Sequence, residues 1–125
     1  MEIRTFQSAN DVAKEAAIYI ADRIRENLTK KGFFTMAISG GRTPWEMIKE
    51  LAQEDLPWEK VFLSQVDERI APDGHQDRNL TQLFNTIQGT KLMTRLNIFP
   101  MQVIAEDLES ACREYADHIK KVTET

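Results

Sequence analysis

The chain has 125 residues, a length that suffices for one domain with its own core. Its net charge is −4, and acidic and basic residues are interspersed, which excludes the basic stripe typical of a protein that binds nucleic acid. No apolar stretch approaches the ~20 residues of a membrane span, and Met1–Arg4 lacks the apolar segment of a signal peptide. The single cysteine, Cys112, excludes an internal disulfide framework and fits a reducing compartment, so we expect a cytoplasmic protein with no membrane partner and with Cys112 in its core.

The first part of the chain predicts a strand, a helix and a second strand. Glu2–Gln7 alternates polar and apolar residues, as a short strand does. Ser8 is a suitable N-cap for a helix that ends at Gly32. Phe33–Ile38 is nearly all apolar and predicts a strand that is buried on both faces. The apolar residues of the helix recur at every fourth position, with alanines beside them: they are Val12, Ala16, Ile20, Ile24 and Leu28, next to Ala13, Ala17 and Ala21.

The alternation continues beyond the second strand. Thr43 as N-cap and Pro44 as first helical residue predict a second helix. Val61–Val66 predicts a third strand, and Asp77 is a suitable cap for a third helix. Asn97–Met101 then predicts a fourth strand.

A last amphipathic helix, which Glu106 and Asp107 open, completes the pattern. Its apolar side is predicted to carry Leu108, Cys112, Tyr115, Ile119 and Val122. Four strands alternating with four helices predict a single α/β domain over residues 1–125. We expect a three-layer, Rossmann-like arrangement, in which a largely parallel sheet has helices on both faces.

Two loops are predicted to leave the carboxyl ends of strands, where open parallel sheets bind their ligands. The first contains Ser39, Gly40, Gly41, Arg42 and Thr43. Glycines allow backbone amides to converge on an anion, and the helix that follows directs its positive end to the same place. The loop therefore indicates a phosphate site, although a tight turn before a capped helix is an equally acceptable interpretation.

The second loop begins with the acidic pair Asp67 and Glu68, followed by Arg69. A carboxylate at the end of a strand is suited to act as a general base or to orient a substrate hydroxyl, and an arginine beside it is suited to bind a phosphate. His75 further along the loop is a candidate substrate contact. Taken alone, the same residues also describe a salt-bridged surface loop with a solvated histidine.

Other residues with reactive or aromatic side chains give weaker signals. We expect Trp45 and Trp58 to be packing residues and His118, among charged neighbours, to be exposed. No cluster of cysteine and histidine has the spacing of metal ligands, so the sequence predicts neither a metal nor an organic cofactor.

Taken together, the two loops resemble the 6-phosphogluconolactonase family, which belongs with glucosamine-6-phosphate isomerase/deaminase in one superfamily. Ser39–Pro44 corresponds to the family's Ser-Gly-Gly-Ser-Thr-Pro, and Asp67–Arg69 to its Asp-Glu-Arg. The histidine and the Asp-Ser-Asn of the family correspond to His75 and to Asp77–Asn79. Two motifs at the right separation are more specific than either one alone.

The resemblance implies a hydrolase that opens 6-phospho-D-glucono-1,5-lactone to 6-phospho-D-gluconate without a cofactor, in the oxidative pentose phosphate pathway. It implies that Asp67 lies at the sugar-ring side of the pocket as the catalytic carboxylate. The residues that it implies for substrate and phosphate binding are Ser39, Gly40, Gly41, Arg42, Thr43, Arg69 and His75. Arg42 and Arg78 stand where the family often has serine, and an arginine at position 42 is compatible with a phosphate.

The family's third motif, which supplies the histidine expected to activate water, is missing from these residues. Asp73-Gly74-His75 looks like part of it but lacks its neighbouring glycines and its Thr-Ala-Ser, so we expect a turn there. Since family chains are longer, we expect residues 1–125 to be the N-terminal part of a longer enzyme, with little or no activity alone. Glucosamine-6-phosphate isomerase/deaminase and a non-catalytic sugar-phosphate sensor remain alternatives; the arginine at position 69 favours the lactonase, because the deaminases often have tyrosine there.

Overall fold

The computed structural model describes residues 1–124, in which three parallel strands form one sheet. The strands β1 (Phe34–Ile38), β2 (Val61–Gln65) and β3 (Asn97–Phe99) lie in chain order. Three of the four predicted strands are therefore confirmed. The third of these is shorter than predicted, because Pro100 follows Phe99 and has no N–H to donate to a neighbouring strand.

Helices cover both faces of this sheet, as predicted. They are α1 (Ala9–Lys31), α2 (Arg42–Leu51), α3 (Asn79–Ile87), the short α4 (Leu92–Arg95) and α5 (Leu108–Thr123), with a 3₁₀ turn at Trp58–Lys60. Across residues 1–124, none of these helices combines the length and the apolar character needed to cross a bilayer.

The main core lies between one face of the sheet and the first three helices. Its members are buried apolar residues that include Ile24 of α1, Leu51 of α2, Leu63 of β2 and Leu83 of α3. Trp58, which is 1% exposed, belongs to the same core and is a packing residue, as predicted. Successive strand residues point to opposite faces, so the residues next to these core positions along the strands face the other layer.

The opposite face is occupied by α5. Phe99 of β3 stacks on Tyr115 and His118 of this helix, with ring centroids 5.5 and 3.3 Å apart. The prediction that His118 is exposed is therefore wrong. The prediction of a core position for Cys112 is also wrong: its thiol is exposed, because α5 turns Tyr115 and His118 towards the sheet instead.

The long helix α1 begins and ends where the sequence predicts. The Ser8 hydroxyl accepts a hydrogen bond from the Asp11 amide at 3.1 Å, and Gly32 closes the helix. Its buried side is centred on the alanines rather than on the larger residues, since Ala13 is fully buried while Val12 is 36% exposed. Small side chains on this face allow α1 to lie close to α2, its main neighbour.

The predicted first strand is wrong. Residues 1–6 form neither helix nor strand, and every residue of Glu2–Gln7 is exposed. An alternating pattern yields a strand only where a neighbouring strand supplies hydrogen-bond partners, and the three strands of the described sheet pair only with one another.

Candidate functional site

The two candidate loops start side by side at one edge of the sheet. Ile38, the last residue of β1, accepts a hydrogen bond through its carbonyl from the Val66 amide at 3.0 Å. Ser39 and Asp67 are the next residues along each segment, so both loops leave the carboxyl ends of paired parallel strands. This is the edge at which open α/β sheets bind ligands.

The first loop leads into an uncapped helix start. Gly41 is the N-cap of α2, with a φ of 135° that favours glycine, so the prediction of Thr43 as N-cap is wrong. Arg42, Thr43 and Pro44 are the first three helical residues, where a proline needs no amide hydrogen. No side chain caps this end, and residues 41–43 are exposed, which leaves the amides of Arg42 and Thr43 accessible to a ligand.

Asn79, the first residue of α3, connects the two loops. Its Nδ2 donates to the Asp67 carbonyl oxygen at 3.1 Å and to the Asp67 Oδ1 at 3.3 Å. The same side chain lies against Gly40 so closely that a Cβ at position 40 would overlap Oδ1 and lie 2.6 Å from Cγ. Gly40 and Asp67 are therefore held next to each other through one asparagine, which the sequence indicated only as part of Asp77–Asn79.

Arg69 lies against Asp67 in the same loop. Its Nη1 is 3.4 Å from the Asp67 Oδ2, with the two side chains 65% and 49% exposed. An exposed pair at this distance is worth only ~0–1 kcal/mol, so a ligand anion can compete for the guanidinium. The structure thus places Gly40, Asp67 and Arg69 at one edge.

Arg42 and His75 occupy positions apart from this contact. Arg42 borders a cavity of about 280 Å³ between α2 and α3, together with Gln82. His75 closes a turn, since its amide donates to the Pro72 carbonyl at 3.0 Å and its Nδ1 accepts from the Asp77 amide at 3.1 Å. The prediction of a turn at residues 73–75 is therefore confirmed.

Glu68, unlike its neighbour Asp67, is turned inward. Its Oε1 accepts from the Asn79 amide at 2.6 Å and its Oε2 from the Leu80 amide at 3.0 Å. The prediction that Asp77 caps α3 is wrong, because this carboxylate from another segment satisfies the first amides of the helix instead. A negative charge at this position also interacts favourably with the helix dipole.

The environment of Glu68 keeps its carboxylate ionised. Burial by itself raises its pKa, but hydrogen bonds from the Gln65 side chain and from the amides of Arg69, Leu80 and Asn79 outweigh burial and lower the pKa to about 2. A carboxylate with so low a pKa is a weak base. Of the two acidic side chains, only that of Asp67 is also exposed to a ligand, at 49% against 0% for Glu68.

Arg78 balances the charge of Glu68. Its Nε lies 3.1 Å from the Glu68 Oε2 at an angle unsuited to a hydrogen bond, so the contact is an ion pair. Its Nη1 donates to the Ala71 carbonyl at 3.2 Å and to the Asp73 carboxylate at 2.8 Å. The residue is 3% exposed; burial alone lowers its pKa, and the two carboxylates outweigh burial and raise it. Arg78 thereby connects the turn at residues 73–75 to the carboxylate of Glu68.

Gln65 was not identified from the sequence, where the only signal was a polar residue at the end of an apolar strand. It is 4% exposed, and its side chain donates to Glu68 at 3.0 Å and accepts from the Met101 amide at 2.8 Å. The Tyr115 hydroxyl accepts from the Gln65 amide and donates to the Gln65 carbonyl, both at 2.7 Å. Because β3 ends at Phe99, Tyr115 takes the place of a neighbouring strand as the hydrogen-bond partner of the Gln65 backbone. It also connects α5 to the site.

We expect Tyr115→Phe to destabilise the protein by about 1–3 kcal/mol, because both backbone groups of Gln65 lose their partner in a partly buried place. The measurement is the free energy of unfolding in urea. Tyr19→Phe is the matched control, since this tyrosine is 53% exposed on α1, and its stability should change by less than ~0.5 kcal/mol. Equal effects of the two substitutions would contradict the assigned role of Tyr115.

The edge offers groups that suit an anion and a hydroxyl-rich ligand: helix-start amides, the hydroxyls of Ser39 and Thr43, the carboxylate of Asp67 and the guanidinium of Arg69. Residues 1–124 contain no group of three or more histidine, cysteine, aspartate or glutamate side chains placed to hold a metal ion.

Comparison with known proteins identifies the family. Residues 7–125 match the family described as glucosamine-6-phosphate isomerases/6-phosphogluconolactonase. The 6-phosphogluconolactonase of Neisseria meningitidis serogroup B is 38% identical over 74 residues, which are 59% of this chain and 32% of that protein. The 6-phosphogluconolactonase of Synechocystis is 30% identical over 106 residues, 85% of this chain and 44% of that protein.

Solved structures show the same fold. A 6-phosphogluconolactonase from Thermotoga maritima superposes with a TM-score of 0.79 at 21% identity, covering 96% of this chain and 54% of that one. A monomeric glucosamine-6-phosphate deaminase superposes with a TM-score of 0.76 at 19% identity, covering 98% and 51%. The chain thus spans about half the length of these structures, and less than half the length of the two relatives above. By its match over nearly all of its residues, the chain belongs to the glucosamine-6-phosphate isomerase/6-phosphogluconolactonase family.

Proposed function

We propose that this chain supplies the phosphate- and sugar-binding edge of an enzyme that hydrolyses 6-phospho-D-glucono-1,5-lactone to 6-phospho-D-gluconate, in the oxidative pentose phosphate pathway. The observation that carries the proposal is that two loops follow paired parallel strands at the same end of the sheet. One loop leads to the exposed, uncapped start of α2, and the other contains Asp67 and Arg69. The names of the relatives, 6-phosphogluconolactonase, support the choice of reaction. We place the protein in the cytoplasm, because the free thiol of Cys112 fits a reducing compartment.

The phosphate group of the substrate is assigned to the first loop. The amides of Arg42 and Thr43 point out of the helix start, and the hydroxyls of Ser39 and Thr43 add further donors. Gly40 and Gly41 carry no side chain that would keep the phosphate away from the backbone. The partial positive charge at the helix start stabilises a dianion there by ~0.3–2 kcal/mol.

The sugar ring is assigned to the second loop. Once Arg69 turns to the substrate, the Asp67 carboxylate is free to accept hydrogen bonds from the sugar and to orient it towards the attacking water, whose activation the resemblance assigns to a histidine. The water oxygen bonds to the lactone carbonyl carbon, the bond from this carbon to the ring oxygen breaks, and the ring oxygen takes up a proton as a hydroxyl. His75, whose Nδ1 is used within its own loop, has Nε2 for a substrate oxygen.

Deamination of glucosamine 6-phosphate and binding without turnover are the competing functions, and one pair of assays separates them. We expect lactone hydrolysis above the uncatalysed rate by the complete protein. Ammonia release from glucosamine 6-phosphate without lactone hydrolysis would assign the protein to the deaminases. Tight binding of both sugar phosphates without either reaction would assign it to the sensors.

For the 125-residue chain itself, we expect 6-phosphogluconate to shift the backbone amide resonances of Gly41, Arg42 and Thr43. Arg69→Ala should weaken this binding roughly tenfold, because a charge-assisted contact to the phosphate is worth about 1–3 kcal/mol. The measurement is a titration followed by amide chemical shifts. Arg113→Ala is the control, since this arginine is 63% exposed on α5 and pairs with Glu109. Equal affinities of the two variants would remove Arg69 from the site.

A further inference from the structure

Two neighbouring carboxylates at the candidate site have opposite environments. The Asp67 side chain is 49% exposed, whereas that of Glu68 is 0% exposed. A fully covered carboxylate cannot touch a substrate, so Glu68 acts on the site only through the groups that it holds. Those groups identify what it does.

The Glu68 carboxylate gathers donors from three separate segments. The Gln65 side chain reaches it from the end of β2 at 3.0 Å, and the Arg69 amide from its own loop at 2.8 Å. The amides of Asn79 and Leu80 reach it from the start of α3 at 2.6 and 3.0 Å. One side chain therefore fixes the strand end, the second loop and the helix start relative to one another.

This connection continues to the first loop through Asn79. The backbone of Asn79 is held by Glu68, while its side chain holds Asp67 and packs against Gly40. A shift of the α3 start would move the Asn79 side chain and with it the separation of Asp67 from residue 40. The amides at the start of α2 belong to a different helix and have no bond to Glu68.

We infer that Glu68 is a positioning residue that sets Asp67 and Arg69, in the second loop, relative to the start of α2, whose amides it does not contact. The buried guanidinium of Arg78 pairs with the Glu68 carboxylate and compensates its negative charge. The inference rests on the proposed function, because it assigns sugar and phosphate to the two loops named there. It predicts that Glu68 determines how much better a phosphosugar binds than phosphate alone.

The test is Glu68→Gln in the 125-residue chain, with 6-phosphogluconate and inorganic phosphate as the two probes. Glutamine keeps the shape but directs an NH₂ group at backbone amides that are themselves donors. We expect the dissociation constant for 6-phosphogluconate to rise roughly tenfold or more and that for inorganic phosphate to rise clearly less, because the start of α2 still binds the phosphate. Glu109→Gln, on an 83% exposed residue of α5, is the control that should change neither constant.

A second variant covers the case in which Glu68→Gln does not fold. Asn79→Ala removes the connection between the loops without leaving a buried charge, and it should reduce the preference for 6-phosphogluconate in the same way. A folded Glu68→Gln or Asn79→Ala protein that keeps the wild-type preference would overturn the positioning role while leaving the proposed function intact. A wild-type chain that binds 6-phosphogluconate no better than phosphate would instead count against the proposed function, and the positioning role would go with it.

Discussion

Gly40→Ala is expected to lower the free energy of unfolding by about 2–4 kcal/mol and to weaken 6-phosphogluconate binding. A Cβ at this position would overlap the Asn79 side chain, with its Cγ 2.6 Å away. Relieving the overlap costs ~1–3 kcal/mol, and turning Asn79 away costs about 1 kcal/mol more, because its hydrogen bonds to Asp67 break. Gly40 has no positive φ, so the effect comes from space and not from backbone strain.

A double-mutant cycle checks this explanation. In an Asn79→Ala background the side chain that the new methyl group meets is gone, so Gly40→Ala should cost less than ~1 kcal/mol. The measurement is urea unfolding of the wild type, both single variants and the double variant. If the losses of unfolding free energy in the two single variants add up to that of the double variant, Gly40 is required for a reason other than its contact with Asn79.

Acid is expected to remove a contribution of up to about 3 kcal/mol that Glu68 makes to stability at neutral pH. Its pKa is lowered from the ordinary 4.5 to about 2 in the folded protein. A lowered pKa means that the contribution is complete above pH ~4.5 and is lost as the pH falls towards 2, since a tenfold change in proton affinity corresponds to ~1.4 kcal/mol. Arg78, the charged group that faces Glu68, stays protonated throughout this range.

Unfolding free energies at pH 7, 4.5 and 2.5 measure this effect. The difference between the wild type and Glu68→Gln should be largest at pH 7 and should shrink in acid, because the wild-type carboxylate is then protonated as well. Glu109→Gln, on an exposed carboxylate, should differ little from the wild type at any of these pH values. A difference for Glu68→Gln that does not depend on pH would show that its charge contributes nothing.

The sequence by itself determined the elements whose signals are local. Ser8 and Gly32 mark the ends of α1, because a hydroxyl that accepts an amide hydrogen and a glycine with positive φ act within a few residues. The apolar runs of β1 and β2 identify two adjacent parallel strands, but β1 lies at the edge of the described sheet and is only partly buried, so the prediction that it is buried on both faces is wrong. Alternation of these elements gave the parallel α/β arrangement, and with it the edge at which both candidate loops lie.

The tertiary structure decided the features that depend on partners distant in sequence. Local chemistry favoured Asp77 as the cap of α3, but Glu68, eleven residues before Asn79, supplies the acceptor, because the end of β2 brings it there. Local alternation favoured a strand at Glu2–Gln7, but no strand pairs with it in the described sheet. The contact of Asn79 with Gly40 likewise arises only when α3 packs beside α2. Caps, strand partners and close contacts of this kind are set by how the elements pack, which the order of residues along the chain does not state.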